Sequence, residues 1–292
     1  MTTSARAEIA IIGGTGLYSL PGLTEVERIT VDTPFGPTSA PIILGALGGR
    51  RVAFLARHGE GHTLLPSELP VRANIWALKS IGVERVLSIS AVGSLRVDFE
   101  PLHAVIPDQL IDRTRGRAGT FFGDGLVAHV GLADPFCAET SAVLGTAAEA
   151  SDVRLHRGAT QVVIEGPAFS TRAESQLFRS WGADIIGMTA LPEARLAREA
   201  ELCYAALCFV TDYDVWHEDE PDVDAGSVIE RLRANAQAAV TAIGHAIEAL
   251  PATRDCACAH ALETALVTPR EMVPVETRRR LAPLLAAHWG EA

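Results

Sequence analysis

Cysteine is scarce in this chain, with five in 292 residues at irregular spacing. A secreted fold stapled by disulfides is therefore not expected. Basic residues are outnumbered, 25 Lys and Arg against 36 Asp and Glu, for a formal charge of −11. That balance disfavours non-specific nucleic-acid binding, which needs a basic surface. It leaves a small anionic ligand open, because local N–H groups and one or two arginines decide such a site. No apolar run approaches the roughly 18 residues of a membrane span. The first residues, Met1 to Glu8, carry one Arg and one Glu and no apolar signal region. A cytoplasmic protein with no membrane or nucleic-acid partner is expected.

What is present is an ordinary globular composition, 48% apolar and 21% charged. The length suits one large domain or two small ones at roughly 100–200 residues each. Short apolar runs read as strands at 8–12, 41–47, 51–56, 85–89, 104–111, 160–164, 184–186 and 203–210. Most are continuous Val/Ile/Leu/Ala stretches, which implies a sheet buried on both faces. Helices are predicted between them at 71–81, 138–150, 171–181 and 192–201. Thr171 with Glu174 forms a capping box, and Pro192 suits a first helical turn. Asp224 reads as the N-cap of a long helix over 225–250, with Val228, Leu232, Ala236, Ala239 and Ile243 on one stripe. Helical stretches follow at 259–266 and 275–289. The expected architecture is a single α/β domain over residues 1–250 with a helical C-terminal extension over 251–292 packed on it.

Six segments carry candidate chemistry. Gly13-Gly-Thr15-Gly16 follows a strand and could cradle an anion. It lacks the third glycine of a dinucleotide fingerprint and the Gly-Lys-Ser/Thr of a P-loop, so a plain tight turn explains it equally. Arg57-His58-Gly59 brings a guanidinium fork suited to phosphate, or an Arg paired with an acid on a surface loop. His58 and His62 have the i,i+4 spacing of helical metal ligands, but Gly59, Gly61 and Pro66 argue against a helix and no third ligand joins them, so no metal is expected. Ser90 and Ala91 end another strand, where a second anion contact or simple turn chemistry fits. Phe169 and Ser170 follow Glu165-Gly-Pro167, where a planar base could stack and hydrogen-bond; a hydrophobic staple and an N-cap fit as well. Met188 and Thr189 lie between a strand and a helix, Met188 being either a sugar contact or core. Asp212 and Asp214 follow an apolar strand, two residues apart, and could accept from an exocyclic amine and donate to a ring nitrogen. The following acids do not form a calcium loop, since the pattern fails at Trp216 and His217.

The order of these motifs carries more than any one of them. Gly13–Gly16, Asp32–Gly36, Arg57–Gly59, Ala73–Leu78, Asp108–Thr114, Glu165–Pro167, Arg172–Ser175, Trp181–Asp184, Met188-Thr189 and Thr211–Asp214 resemble the 5′-methylthioadenosine phosphorylases of the trimeric purine nucleoside phosphorylase family, from about residue 9 to 250. The resemblance implies an α/β domain with a mixed, distorted central sheet. It also implies a homotrimer or a dimer of trimers, and a pentosyltransferase that cleaves a purine nucleoside with inorganic phosphate as co-substrate and no cofactor. Carried over by position, Thr15, Arg57, His58, Ser90, Ala91 and Thr189 would hold phosphate. Phe169, Ser170, Asp212 and Asp214 would hold the base and Met188 the ribose. His62, Val228 and Ile229, with His129 from a neighbouring subunit, would line the 5′ end. Cys256-Ala-Cys258 resembles a C-terminal pair that is oxidised in some members; in a reducing cytosol free thiols are expected.

Paired acids at 212 and 214 favour a 6-amino purine, so adenine is the expected base and a role in purine salvage follows. Ser90 stands where relatives often have Thr, Ala225 where Val is frequent, and Gly187 where Asn is common. An altered 5′ pocket leaves two substituents in play, methylthio and a 5′-halogen such as fluorine. A nucleoside hydrolase and a non-catalytic nucleoside-binding protein complete the alternatives.

Overall fold

The computed structural model describes residues 6–14, 17, 19–220 and 222–290. The described residues form eleven strands and seven α-helices. The strands are β1 (Ile9–Gly13), β2 (Thr24–Ile29), β3 (Ile42–Leu47), β4 (Arg50–Ala56), β5 (Arg85–Ser94), β6 (Ala104–Ile106), β7 (Gln109–Arg113), β8 (Leu155–Arg157), β9 (Thr160–Ile164), β10 (Ile185–Gly187) and β11 (Cys203–Asp212). The helices are α1 (Val71–Ser80), α2 (Ala138–Glu149), α3 (Arg172–Ser180), α4 (Ala190–Glu199), α5 (Ala225–Ala249), α6 (Val275–Arg280) and α7 (Ala282–Trp289). One mixed sheet runs β2-β3-β4-β1-β5-β10-β9-β7, with β11 also on β5 and carrying β6 and β8. This is the expected α/β architecture. The continuous apolar runs are its inner strands: every residue of β1 and β11 is buried.

Strand β5 is where the sheet forks. Its first residues, Arg85 to Ser88, pair with β1, while Gly93 and Ser94 pair with β10 running the other way. Between these stretches, Ile89 to Val92 keep β11 on one edge and have neither β1 nor β10 on the other. A backbone edge left open inside a sheet must find other partners or line a cleft. Here the Ile89 carbonyl is taken by Arg57, and the remainder faces a cavity.

Several elements differ from the sequence expectation. The 104–111 run is two strands divided at Pro107, and Asp108 N–H turns to the Ala159 carbonyl. β2 escaped notice because it is an exposed edge strand with charged residues along it. β8 is only three residues long. The 259–266 segment is not a helix: one 3-10 turn over Ala257–His260 is followed by a chain that bridges Leu266 to Ala128. Packing of Leu262 and Ala265 into the core overrides local helix propensity there. The 275–289 helix is two, because Pro283 has no N–H to continue the first. Residues 251–290 share the main core through Leu262, Ala265, Val273, Leu281, Leu284 and Leu285. Trp76 of α1 also donates to the Arg280 carbonyl at 3.1 Å.

Candidate active site

A cavity of about 430 Å³ opens at the fork of β5. The ends of five elements reach it: Arg57 after β4, Ser90 to Gly93 within β5, Phe169 after β9, Met188 and Thr189 between β10 and α4, and Asp212 and Asp214 at the end of β11. These are C-terminal strand edges, the place where open α/β sheets bind ligands. Of the sequence candidates, Arg57, His58, His62, Ser90, Ala91, Phe169, Met188, Thr189, Asp212, Asp214, Val228 and Ile229 all line it. Thr15 lies outside the described residues. Ser170 lies behind the wall, its hydroxyl buried against Asp214. His129 is on the exposed surface beside the Ala128–Leu266 bridge, away from this cavity.

The floor holds the acids. Asp212 is buried, with Oδ2 accepting from the Thr211 hydroxyl at 2.7 Å and Oδ1 from the Asp214 N–H at 2.8 Å. Burial outweighs those hydrogen bonds and pushes its pKa up to about 6. Asp214 is also raised by burial. Its Oδ2 is buried without a hydrogen-bond partner inside the fold. Gly93 makes this floor possible, since a Cβ there would stand 2.8 Å from Asp212 Oδ1. Arg231 of α5 donates to the Thr211 carbonyl and holds the end of β11.

Arg57 departs from the surface-loop alternative. It is paired with an acid, but in the core rather than on a surface loop: Nε lies 2.5 Å and Nη2 3.1 Å from the Glu193 carboxylate. Nη2 also donates to Ser88 Oγ at 2.7 Å and Nη1 to the Ile89 carbonyl at 2.9 Å. Four of its five N–H donors are thus engaged, leaving one on Nη1. The Tyr204 hydroxyl completes the cluster, 2.9 Å from Glu193 Oε2. Glu193 is one of the site residues that the sequence candidates do not include. Its position in the first turn of α4, just after Thr189, was the available signal.

His58 stacks on His62 with ring centroids 4.3 Å apart, and its Nδ1 lies 2.9 Å from the Leu64 carbonyl. Burial is the main reason that its pKa falls to about 4, with Arg57 and His62 adding to the effect. The ring is therefore neutral at pH 7, and the Leu64 bond assigns its proton to Nδ1, leaving Nε2 as an acceptor. Among the described residues no third His, Cys, Asp or Glu joins the stacked pair in a metal-ligating group.

A second arginine absent from the sequence candidates holds the roof. Arg117 donates to the carbonyls of Met188 at 2.7 Å, Leu191 at 2.8 Å and Glu165 at 2.6 Å, and pairs with the Glu165 carboxylate at 3.2 Å. It ties the Glu165–Pro167 turn to the Met188–Thr189 turn. Within that roof Gly166 has φ +66°, and a Cβ would meet Met188 Sδ at 2.6 Å. Phe169 remains 41% exposed at the rim. The remaining wall is apolar: Leu64, Leu65, Ala225, Val228 and Ile229.

One end of the cavity thus offers hydroxyls, a free guanidinium N–H and a neutral imidazole; another offers two carboxylates; a third is greasy. The sequence model of the Phosphorylase superfamily matches residues 8–247. The chain is 52% identical to an S-methyl-5′-thioadenosine phosphorylase of Koribacter versatilis, covering 98% of both proteins. It is 50% identical to that of Geobacter sulfurreducens, over 96% of this chain and 98% of the relative. A methylthioadenosine phosphorylase from an antarctic soil metagenomic library superposes with a TM-score of 0.92 at 51% identity, over 96% and 99% of the two chains. A methylthioadenosine phosphorylase from Schistosoma mansoni in complex with adenine gives 0.83 at 35% identity, over 88% and 96%.

Proposed function

This chain belongs to the Phosphorylase superfamily, and on that premise we propose that it cleaves 5′-methylthioadenosine with inorganic phosphate, giving adenine and 5-methylthioribose 1-phosphate. The observation that carries the reading is two buried carboxylates, Asp212 and Asp214, facing one cavity with Arg57 and the hydroxyl residues Ser90 and Thr189. As the C1′–N9 bond breaks, positive charge grows on the sugar and negative charge on the purine. Asp212, raised to about 6, gives its proton to N7 of the leaving base. The bonding pair stays with the purine, and a phosphate oxygen closes on C1′. Charge placed in advance where it develops lowers the barrier. Asp214 Oδ2, without a partner in the fold, accepts from the 6-amino group, and Phe169 stacks on the ring.

Phosphate is assigned to Ser90, the Ala91 N–H, Thr189, Thr15 and the remaining Arg57 N–H. His58 is neutral, so it adds no charge; its Nε2 accepts from a protonated phosphate oxygen. Met188 is assigned to the ribose. His62, Val228 and Ile229 receive the methylthio group against the apolar wall. His129 is assigned to a neighbouring subunit's 5′ pocket within a homotrimer. Its surroundings support that placement: Val127 and Val267, joined by a 2.9 Å backbone bond, are both exposed beside it.

The decisive measurement is base release from 5′-methylthioadenosine, inosine and 5′-fluoro-5′-deoxyadenosine, with and without phosphate. Phosphate-dependent release of adenine from the methylthio substrate, with little from inosine, is expected. Release without phosphate would make the protein a hydrolase, and faster turnover of the fluoro compound would reassign the 5′ pocket.

A further inference from the structure

Four of the five cysteines meet at one point far from the cavity. Cys137, Cys203, Cys256 and Cys258 place their sulfur atoms all within 4.8 Å of one another, three of them buried and Cys256 half-buried. They come from three separate places in the sequence. Cys137 is the N-cap of α2, Cys203 is the first residue of β11, Cys256 precedes the 3-10 turn Ala257–His260 and Cys258 lies within it. Cys208, the fifth, sits inside β11 and takes no part.

The backbone around the cluster is fixed by contacts that do not involve sulfur. Cys137 N–H donates to the Tyr204 carbonyl at 2.8 Å, which sets Cys137 beside Cys203. Arg85 donates to the Thr253 carbonyl at 2.6 Å, and Arg254 to the Glu201 carbonyl at 2.6 Å, which clamp the segment leading to Cys256. The four thiols are therefore held in place rather than drifting together.

The spacings lie on either side of those of a shared centre, from 3.2 Å to no more than 4.8 Å. Cys256 Sγ lies 3.2 Å from Cys203 Sγ and 3.8 Å from Cys137 Sγ, so it is not committed to a single partner. A tetrahedral zinc site with bonds of about 2.3 Å has sulfur–sulfur edges of about 3.8 Å. Four sulfur donors in a tetrahedral set select zinc or a single iron, and zinc needs no redox partner. We propose that Cys137, Cys203, Cys256 and Cys258 bind one Zn²⁺ as a closed structural site.

Thiols bind zinc as thiolates, so loading releases one proton from each of the four sulfurs and leaves the centre with a formal charge of −2. The surroundings meet that charge. The Thr140 hydroxyl donates to Cys137 Sγ at 3.4 Å, and the N-terminus of the 12-residue α2 points its free N–H groups towards the same residue. Arg85, in register with Cys203, is buried with Nη1 lacking a hydrogen-bond partner; the nearest carboxylate oxygen, of Glu84, is 3.7 Å away. The ion would join the C-terminal segment to the start of the strand that carries Asp212. About 30 Å of strand separates the two ends, so the metal's part is in holding the fold and not in the reaction.

The test uses the full chain, expressed with zinc in the medium and purified in metal-free buffer. Elemental analysis is expected to give one zinc per chain. Cobalt(II) exchanged into the protein is expected to show thiolate-to-cobalt charge transfer and the intense visible bands of a tetrahedral site. Cys256→Ser/Cys258→Ser is expected to drop zinc content to background, while Cys208→Ser keeps it. Stripping the ion with a strong chelator is expected to lower Tm. Absence of stoichiometric metal with four titratable thiols overturns the proposal. So does non-reducing mass spectrometry that finds any two of these cysteines joined in a disulfide.

Discussion

At the scale of single residues, the chemistry turns on Asp212. Its folded pKa of about 6 stands above the ordinary carboxylate value because burial penalises the charged form. Between pH 4 and 6 the folded state therefore holds more protons at this site than the unfolded chain. Stability contributed by Asp212 is present below that window and lost as pH rises through it. Asp212→Asn is expected to keep the fold and to raise Tm at pH 7 by a few degrees, measured by calorimetry. The same variant should lose about 10²–10⁴-fold in kcat with 5′-methylthioadenosine, the usual worth of acid assistance. It should also gain relative tolerance for inosine, since an amide can donate to a 6-oxo purine. Equal loss on both bases would remove the proposed role. In the unaltered enzyme, kcat/KM should decline as pH rises through about 6, a limb that Asp212→Asn lacks.

Between elements, the fork of β5 makes the site. β1 leaves after Ser88 and β10 arrives at Gly93, and what fills the gap is Arg57 with its partner Glu193 on α4. The pair is buried, with both side chains almost fully excluded from solvent. Such a pair adds little by itself, but breaking one half strands the other charge. Glu193→Ala is expected to destabilise the protein by about 3–5 kcal/mol, read as a shift in the denaturant midpoint. Arg57 and Glu193 replaced together by apolar residues should cost much less, while phosphate binding falls in both. Gly93 is the other half of this geometry. Gly93→Ala, with a Cβ 2.8 Å from Asp212 Oδ1, should displace the acid and lower kcat more than it lowers phosphate affinity, as initial-rate kinetics with each substrate varied would reveal.

At the scale of the whole molecule, the C-terminal segment and the proposed assembly are coupled. Residues 251–290 enter the main core and place Val267 beside Val127 on the exposed side. A charge there should break a homotrimer without touching the cavity. Val267→Asp is expected to shift the mass measured by light scattering from three chains to one. If His129 serves a neighbour's 5′ pocket, KM for 5′-methylthioadenosine should rise on dissociation while phosphate affinity holds. An unchanged mass would move the interface elsewhere.

Most strands and helices were legible in the chain because each is written locally, while about half of the cavity wall was named, much of it through the family resemblance rather than local pattern. Continuous apolar runs specify buried strands, Thr171 and Asp224 announce helix starts that the structure places beside the expected residues, and glycine-broken strand ends mark a ligand edge. Ser90, Met188, Thr189, Asp212 and Asp214 follow apolar runs, which by themselves fit a turn or core role as well as a ligand edge; the order of the motifs, shared with the resembled family, singled them out. The edge strand β2 and the irregular 259–266 segment were not legible, since one hides its pattern among charges and the other takes its shape from the core it fills. Arg57 illustrates the division. Its sequence says that a guanidinium follows a strand; only packing decides that Glu193, 136 residues later, neutralises most of it. The four cysteines are the same case in a stronger form. Beyond the Cys256-Ala-Cys258 pair their spacing along the chain carries no pattern, and it is the folding of β11, α2 and the C-terminal segment onto one another that brings the four sulfurs together. Periodicity and caps are properties of neighbours in sequence, whereas charge pairing and metal-ligand geometry belong to neighbours in space.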